Sequence, residues 1–125
     1  MKSLLLLLTA LAITLVAGCI GQVATYDDPG QAIDTGVNQQ FVIALGSNPG
    51  STGYSWQASY DETMLELVQS TYKEPKSGLV GAGGVEYFRF KALKAGMAEI
   101  TLVYKRHWEE PTPQDLTKVF TVHIQ

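Results

Sequence analysis

Few side chains in this sequence could carry covalent or metal chemistry. There is one thiol, Cys19, and two imidazoles, His107 and His123, in 125 residues. A single cysteine excludes an intramolecular disulfide, a CxxC redox pair and a cysteine-rich zinc site. The two histidines lie far apart, and no carboxylates stand at ligand spacing from them, so no metal and no cofactor is expected. No serine, histidine and acid stand in an order that suggests nucleophilic catalysis, and Glu109-Glu110 beside Pro111 reads as a solvated turn. Charged residues are 17% of the chain and its net charge is −3. That is below the roughly 25% usual for soluble domains, and it argues against a basic face for nucleic acid. No small-molecule substrate is implied either, so the chain does not read as an enzyme.

What remains is the chemistry of recognition, in three stretches. Asn48-Pro49-Gly50-Ser51-Thr52-Gly53-Tyr54 joins a φ-locked proline to two glycines that permit positive φ, which describes a long but stiff loop. Gly78-Leu79-Val80-Gly81-Ala82-Gly83-Gly84 has three glycines in its last four residues, room for another backbone to approach closely. Arg106-His107-Trp108-Glu109 sets a guanidinium and an indole side by side at a strand end, both types being enriched at interface hot spots. Taken singly, each stretch also fits a plain turn, a flexible filler or a cap on the core.

The elements that must position these stretches have a period of two. Phe41, Ile43 and Leu45 alternate with Val42 and Ala44, and Tyr54, Trp56, Ala58 and Tyr60 alternate with Ser55, Gln57 and Ser59. Leu65 and Leu67 flank Glu66; Phe88, Phe90 and Ala92 alternate with Tyr87, Arg89 and Lys91. Ala98, Ile100, Leu102 and Tyr104 form a further set, and Phe120, Val122 and Ile124 the last. Gly, Pro and Asn clusters separate these signals. The expected fold is all-β, an immunoglobulin-like antiparallel sandwich of about seven to eight strands. Only Asp61 to Leu65 has room for a helical turn. With strands lettered B to G as in that fold, the three stretches are the B–C, D–E and F–G loops, which gather at one end as antibody binding loops do.

The first segment reads differently. Leu4 to Val16 is an uncharged apolar run behind Lys2. As a helix it reaches roughly 20 Å at about 1.5 Å per residue, short of the roughly 30 Å hydrocarbon core. Its end, Val16-Ala17-Gly18-Cys19, resembles the lipobox of prokaryotic lipoprotein signal peptides. The resemblance implies a signal peptide over 1–18, a lipid on Cys19, and an exported chain anchored to the membrane on its extracytoplasmic side. An ordinary secretory signal with a chance cysteine is the other reading. Residues 19–35 follow as lipidated cysteine and tether, with Asp27-Asp28-Pro29-Gly30 as a turn signal and room for a short strand at the end. Residues 36–125 make one domain with one core, expected to act as a monomer.

The three loop motifs, with the frame Phe88-Arg89-Phe90-Lys91-Ala92 and Ile100-Thr101-Leu102-Val103-Tyr104 between them, resemble the chagasin-type inhibitors of papain-like cysteine proteases. The family's patterns at the three places are NPTTGYxW, GxGG and RPWE. The likeness implies a reversible, tight-binding inhibitor whose partner is a papain-like protease and whose three loops fill the active-site cleft. It puts Thr52, with Ser51 or Gly50, nearest the target's nucleophile. Gly81, Ala82, Gly83 and Gly84 then run backbone to backbone along the non-primed side, and Trp108 packs on the primed side with Arg106 nearby. Two features depart from the pattern. The first loop is one residue longer, which leaves open whether Gly50 or Ser51 takes the first threonine's place. His107 stands where the family has proline, which frees φ and adds a side chain of a type whose charge changes between about pH 5 and 8. A cell-surface immunoglobulin-like binding or adhesion module without inhibitory activity is the alternative, though it would not need all three motifs.

Overall fold

In a strand of period two, the apolar set defines one face, and two such faces make a core. The computed structural model describes residues 23–74, 83–112 and 115–125. Segment 1–18, Cys19, and Gly81 and Ala82 of the glycine stretch lie outside the described residues. The strands are β1 (Ala24–Tyr26), β2 (Ile33–Thr35), β3 (Gln40–Ser47), β4 (Tyr54–Tyr60), β5 (Leu65–Lys73), β6 (Gly84–Ala92), β7 (Gly96–Arg106) and β8 (Leu116–Ile124). They form two four-stranded sheets, ordered β1-β3-β6-β5 and β2-β8-β7-β4. The all-β sandwich read from the alternation is therefore the fold.

Each expected apolar set faces inward. Phe41, Ile43, Leu45, Phe88, Phe90 and Ala92 of the first sheet meet Trp56, Ile100, Leu102, Phe120, Val122 and Ile124 of the second in one cluster. Phe90 is its centre. The ring stacks on Phe41 at 5.7 Å between centroids and takes the Tyr60 ring edge-on at 5.1 Å.

Three boundaries differ from the sequence reading. Two strands, β1 and β2, lie within 19–35, the stretch read as tether with room for one. Both are short and pair in parallel, β1 on β3 and β2 on β8, and Ile33 is fully buried. The sandwich thus begins by Ala24, and three-residue strands are too short to show a period. At Asp61–Leu65 the carbonyl of Asp61 accepts from the backbone N–H groups of Met64 and Leu65, a single helical turn where the sequence has room for one, and it feeds directly into β5. A second helical turn, α1 (Pro49–Thr52), was not expected and lies in the first loop, where Pro49 opens it with a fixed φ. Finally, β7 runs beyond Tyr104 to Arg106, so Arg106 is a strand residue paired with Tyr54. His123 is exposed on β8 as expected, and faces Asp34 at 3.5 Å.

The turn between β4 and β5 carries a titratable support. Asp61 accepts from the hydroxyl and the backbone N–H of Thr63, at 2.6 and 2.9 Å. These bonds, the hydroxyl first, hold its carboxyl below the ordinary carboxylate value. A depressed native value means the unfolded chain takes the proton first as pH falls, so the turn's contribution is present above the ordinary range and is lost in acid. Asp61→Asn should flatten the acid limb of stability, measured as urea midpoints between pH 2.5 and 7. An unchanged acid limb would show that Asp61 does not contribute to it.

Candidate functional site

The strand polarities bring the three motifs to one end of the sandwich. In the first sheet, Ser47 at the end of β3 pairs with Gly84 at the start of β6, and Lys73 at the end of β5 pairs with Val85. In the second, Tyr54 at the start of β4 pairs with Arg106 at the end of β7. The chain crosses from one sheet to the other through Asn48–Gly53 at this same end. Asn48, Pro49, Gly50, Thr52, Gly53, Tyr54, Gly83, Gly84, Arg106, His107 and Trp108 are thus gathered as the sequence reading required. Ser51 lies on the backbone of α1 among them.

The first loop is a closed helical turn, held from inside and outside. The Asn48 carbonyl accepts from the Thr52 N–H at 3.2 Å and from its hydroxyl at 2.8 Å, and the Pro49 carbonyl accepts from the Gly53 N–H at 2.9 Å. Gly53 ends the turn at φ +75°, the left-handed conformation that glycine adopts at little cost. The Asn48 N–H donates to the Tyr104 hydroxyl at 3.0 Å, so a β7 side chain sets where the loop leaves β3.

The third loop is fastened to the first. The Trp108 indole is 62% exposed, yet its rim lies on Gly53, where a Cβ would come within 2.8 Å of Cη2. Arg106 makes the second link: its Nε–H donates to the Thr52 carbonyl at 3.1 Å, and its guanidinium lies 4.8 Å over the Tyr54 ring. Nη1 reaches the Glu109 carboxylate at 3.1 Å, while the Glu109 N–H closes the turn on the Arg106 carbonyl. Arg106 is therefore engaged inside the wedge, braced between loops. His107 packs edge-on against Trp108 at 4.8 Å between rings.

The described part of the glycine stretch is also used internally. A Cβ on Gly84 would collide with the Lys73 carbonyl and with the Tyr72 hydroxyl, and one on Gly83 would press on the Ser47 carbonyl at 3.3 Å. The close backbone approach these glycines permit is thus made by the chain's own β5 and β3.

One residue that sequence reading did not single out, Glu86, holds the base of the site together with Trp56. Glu86 is in phase with Phe88 and Phe90, points between the sheets, and is 8% exposed. Its carboxylate accepts from the backbone N–H of Trp56 at 2.9 Å. The Trp56 indole N–H donates to the Gly46 carbonyl at 2.8 Å, and its ring packs on Tyr104 at 4.9 Å. The signal for Glu86 was available: extending the β6 alternation two residues upstream of Phe88 puts a carboxylate on the buried face. Among the described residues no group of His, Cys, Asp and Glu could hold a metal ion.

A β-sandwich with interlocked loops at one end defines a binding protein built like an antibody domain. The chain belongs to the chagasin family of peptidase inhibitors, I42, whose sequence profile matches residues 34–124. It is 33% identical over 102 residues to chagasin of Trypanosoma cruzi, covering 77% of this chain and 89% of that protein. Amoebiasin-1 of Entamoeba histolytica is 30% identical over 101 residues, with 81% and 97% covered. The crystal structure of the cysteine protease inhibitor EhICP2 from Entamoeba histolytica superposes with a TM-score of 0.67 at 32% identity, covering 84% of this chain and 99% of that one. The family comprises inhibitors, not enzymes.

Removing the Glu86 acceptor should leave the Trp56 N–H unpaired in the interior, at a cost of about 1–3 kcal/mol. Glu86→Ala is expected to lower the urea midpoint accordingly, while Glu86→Gln, which keeps an acceptor oxygen, recovers most of it. Equal losses in both variants would mean that the carboxylate charge, not the hydrogen bond, matters.

Proposed function

We propose that this chain inhibits papain-like cysteine proteases by seating its three-loop wedge in their active-site cleft. The observation that carries the reading is the interlock of the first and third loops, Trp108 on Gly53 and Arg106 on the Thr52 carbonyl. A wedge fixed before binding loses little conformational entropy when it docks. The same bonds explain why a loop beside a catalytic thiol resists cleavage. The Asn48, Pro49 and Thr52 carbonyls already accept hydrogen bonds from within the wedge. A carbonyl held in a helical turn is neither extended along the cleft nor open to attack. Thr52 with Gly50 or Ser51 lies nearest the target thiol in this reading, Gly81 to Gly84 follow the non-primed wall, and Trp108 is the primed-side anchor. One wedge serves one protease, so the chain acts as a monomer.

The reading extends to location. The lipobox-like Val16-Ala17-Gly18-Cys19 supports cleavage before Cys19 and a lipid on its thiol. The inhibitor would then be held on the extracytoplasmic side of a membrane and act on proteases outside the cell.

Hydrolysis of a peptide substrate by papain, with residues 20–125 added, is the direct test. Inhibition at nanomolar to micromolar concentration is expected, and none at micromolar concentration would overturn the reading. Trp108→Ala should weaken inhibition by about 30-fold, equivalent to about 2 kcal/mol at a hot spot, with its melting temperature unchanged.

A further inference from the structure

The end of the sandwich opposite the wedge has its own character, and it is the end at which the chain enters. Because β1 pairs in parallel with β3, Ala24 lies opposite Phe41, near the start of β3, while the wedge begins at Ser47. An antiparallel first strand would have delivered the N-terminus to the wedge instead. Five residue steps separate Cys19 from Ala24. At no more than about 3.6 Å per step, no conformation of that stretch can exceed about 18 Å. The sandwich from Phe41 to Ser47 alone is about 20 Å long at about 3.3 Å per residue. A lipid on Cys19 therefore keeps Ala24, and with it the start of β3, within about 18 Å of the anchor point.

That pole also carries three exposed apolar side chains. Val37 in the β2–β3 turn, Leu93 in the β6–β7 turn and Met97 at the start of β7 are 39%, 36% and 61% exposed. Backbone hydrogen bonds from Asn38 to the Ala92 carbonyl and from Leu93 to the Met64 carbonyl bring these turns side by side. Charges around them have both signs, Lys94 and Lys91 against Asp61, Glu62 and Glu99, so no attraction to anionic headgroups is required. Exposed apolar side chains ringed by mixed charge suit the boundary between headgroups and acyl chains.

We propose that this pole is the membrane-facing surface of the lipidated protein: Val37, Leu93 and Met97 rest on the phospholipid interface, and the wedge projects into the surrounding medium. The inference rests on the lipid-anchor reading of Cys19 given above. Each side chain contributes little alone; the lipid supplies the high local concentration that makes the contact persist.

The test uses the full chain, processed in a bacterial host and reconstituted in phosphatidylcholine vesicles. An intact-mass measurement first establishes whether Cys19 carries the lipid. Two variants, Met97→Cys at the far pole and Leu116→Cys at the wedge end, each receive an environment-sensitive fluorophore on the new thiol. The expected result is a blue shift at position 97, with quenching by nitroxide-labelled lipid several-fold greater than at position 116. Vesicle-bound protein should still inhibit a soluble papain-like protease as well as residues 20–125 do. A free Cys19 thiol would overturn the anchor reading and this proposal with it. A lipidated chain with equal quenching at both positions, or stronger quenching at 116, would overturn the orientation and leave the anchor standing.

Discussion

The binding end depends on Trp56. It lies on β4, an edge strand of its sheet among the described residues, where no neighbouring strand takes the outward N–H groups. One such N–H is answered by Glu86 from the other sheet, and the indole N–H is answered by the Gly46 carbonyl at the end of β3. Both bonds cross from sheet to sheet, just below the loop that connects β3 to β4. With no intramolecular disulfide available to a chain of one cysteine, these two bonds fix the separation of the sheets where it matters, while the Trp56 ring packs on Tyr104 within its own sheet. Tyr104 then passes that position on, because its hydroxyl holds the Asn48 N–H. If Trp56 moved, the first loop would lose its footing, and with it the seat on Gly53 that orients Trp108.

Much of this was legible in the sequence, and what was missed has physical causes. Alternation revealed the central strands because each is half buried, so its apolar set must repeat every second residue. It failed on β5 beyond Leu67. A register shift between Leu67 and Gln69 leaves Val68 exposed and reverses the phase, and the strand continues to Lys73 with a pattern that looks like loop. The parallel strand β1 escaped because three residues cannot show a period, and β2 was anticipated only as room for a short strand before Gly36. In the site, the motif residues were found but not all their allegiances. Arg106 looked like an anchor for a partner, since a sequence shows a guanidinium but not the carbonyl it already holds. Gly84 looked like room for a foreign backbone, and it is room for Lys73.

The departure at His107 has a structural counterpart. Where the family's pattern has proline, a fixed φ would help to define the turn that presents the indole. Here that restriction is absent, and the turn is held by Arg106 and Glu109 through an ion pair and a backbone hydrogen bond. An exposed ion pair contributes little to stability by itself, about 0–1 kcal/mol. Its value here is directional. The same guanidinium is pinned by the Thr52 carbonyl and by the Tyr54 ring, so the pair rigidifies a side chain that is already committed. The arginine and glutamate stand in the family's RPWE pattern as well, so only the proline's backbone restraint is missing here, and the side-chain fork holds the turn without it.

The polarity of two small strands has consequences for the whole molecule. β1 and β2 add few contacts to the core, and β1 in particular is mostly exposed. Yet by running parallel to β3 and β8 they carry the early chain along the sandwich toward the wedge and back again before β3 begins. The entry point and the binding loops are thereby set at opposite poles. A domain that began directly at β3 would also enter at the far pole, but without β1 and β2 the outer edges of β3 and β8 would lie open along their length. Short parallel strands cover part of those edges, which limits edge-to-edge association, and still leave the loops clear of whatever precedes the domain. A wedge whose affinity depends on unobstructed entry into a cleft benefits from both.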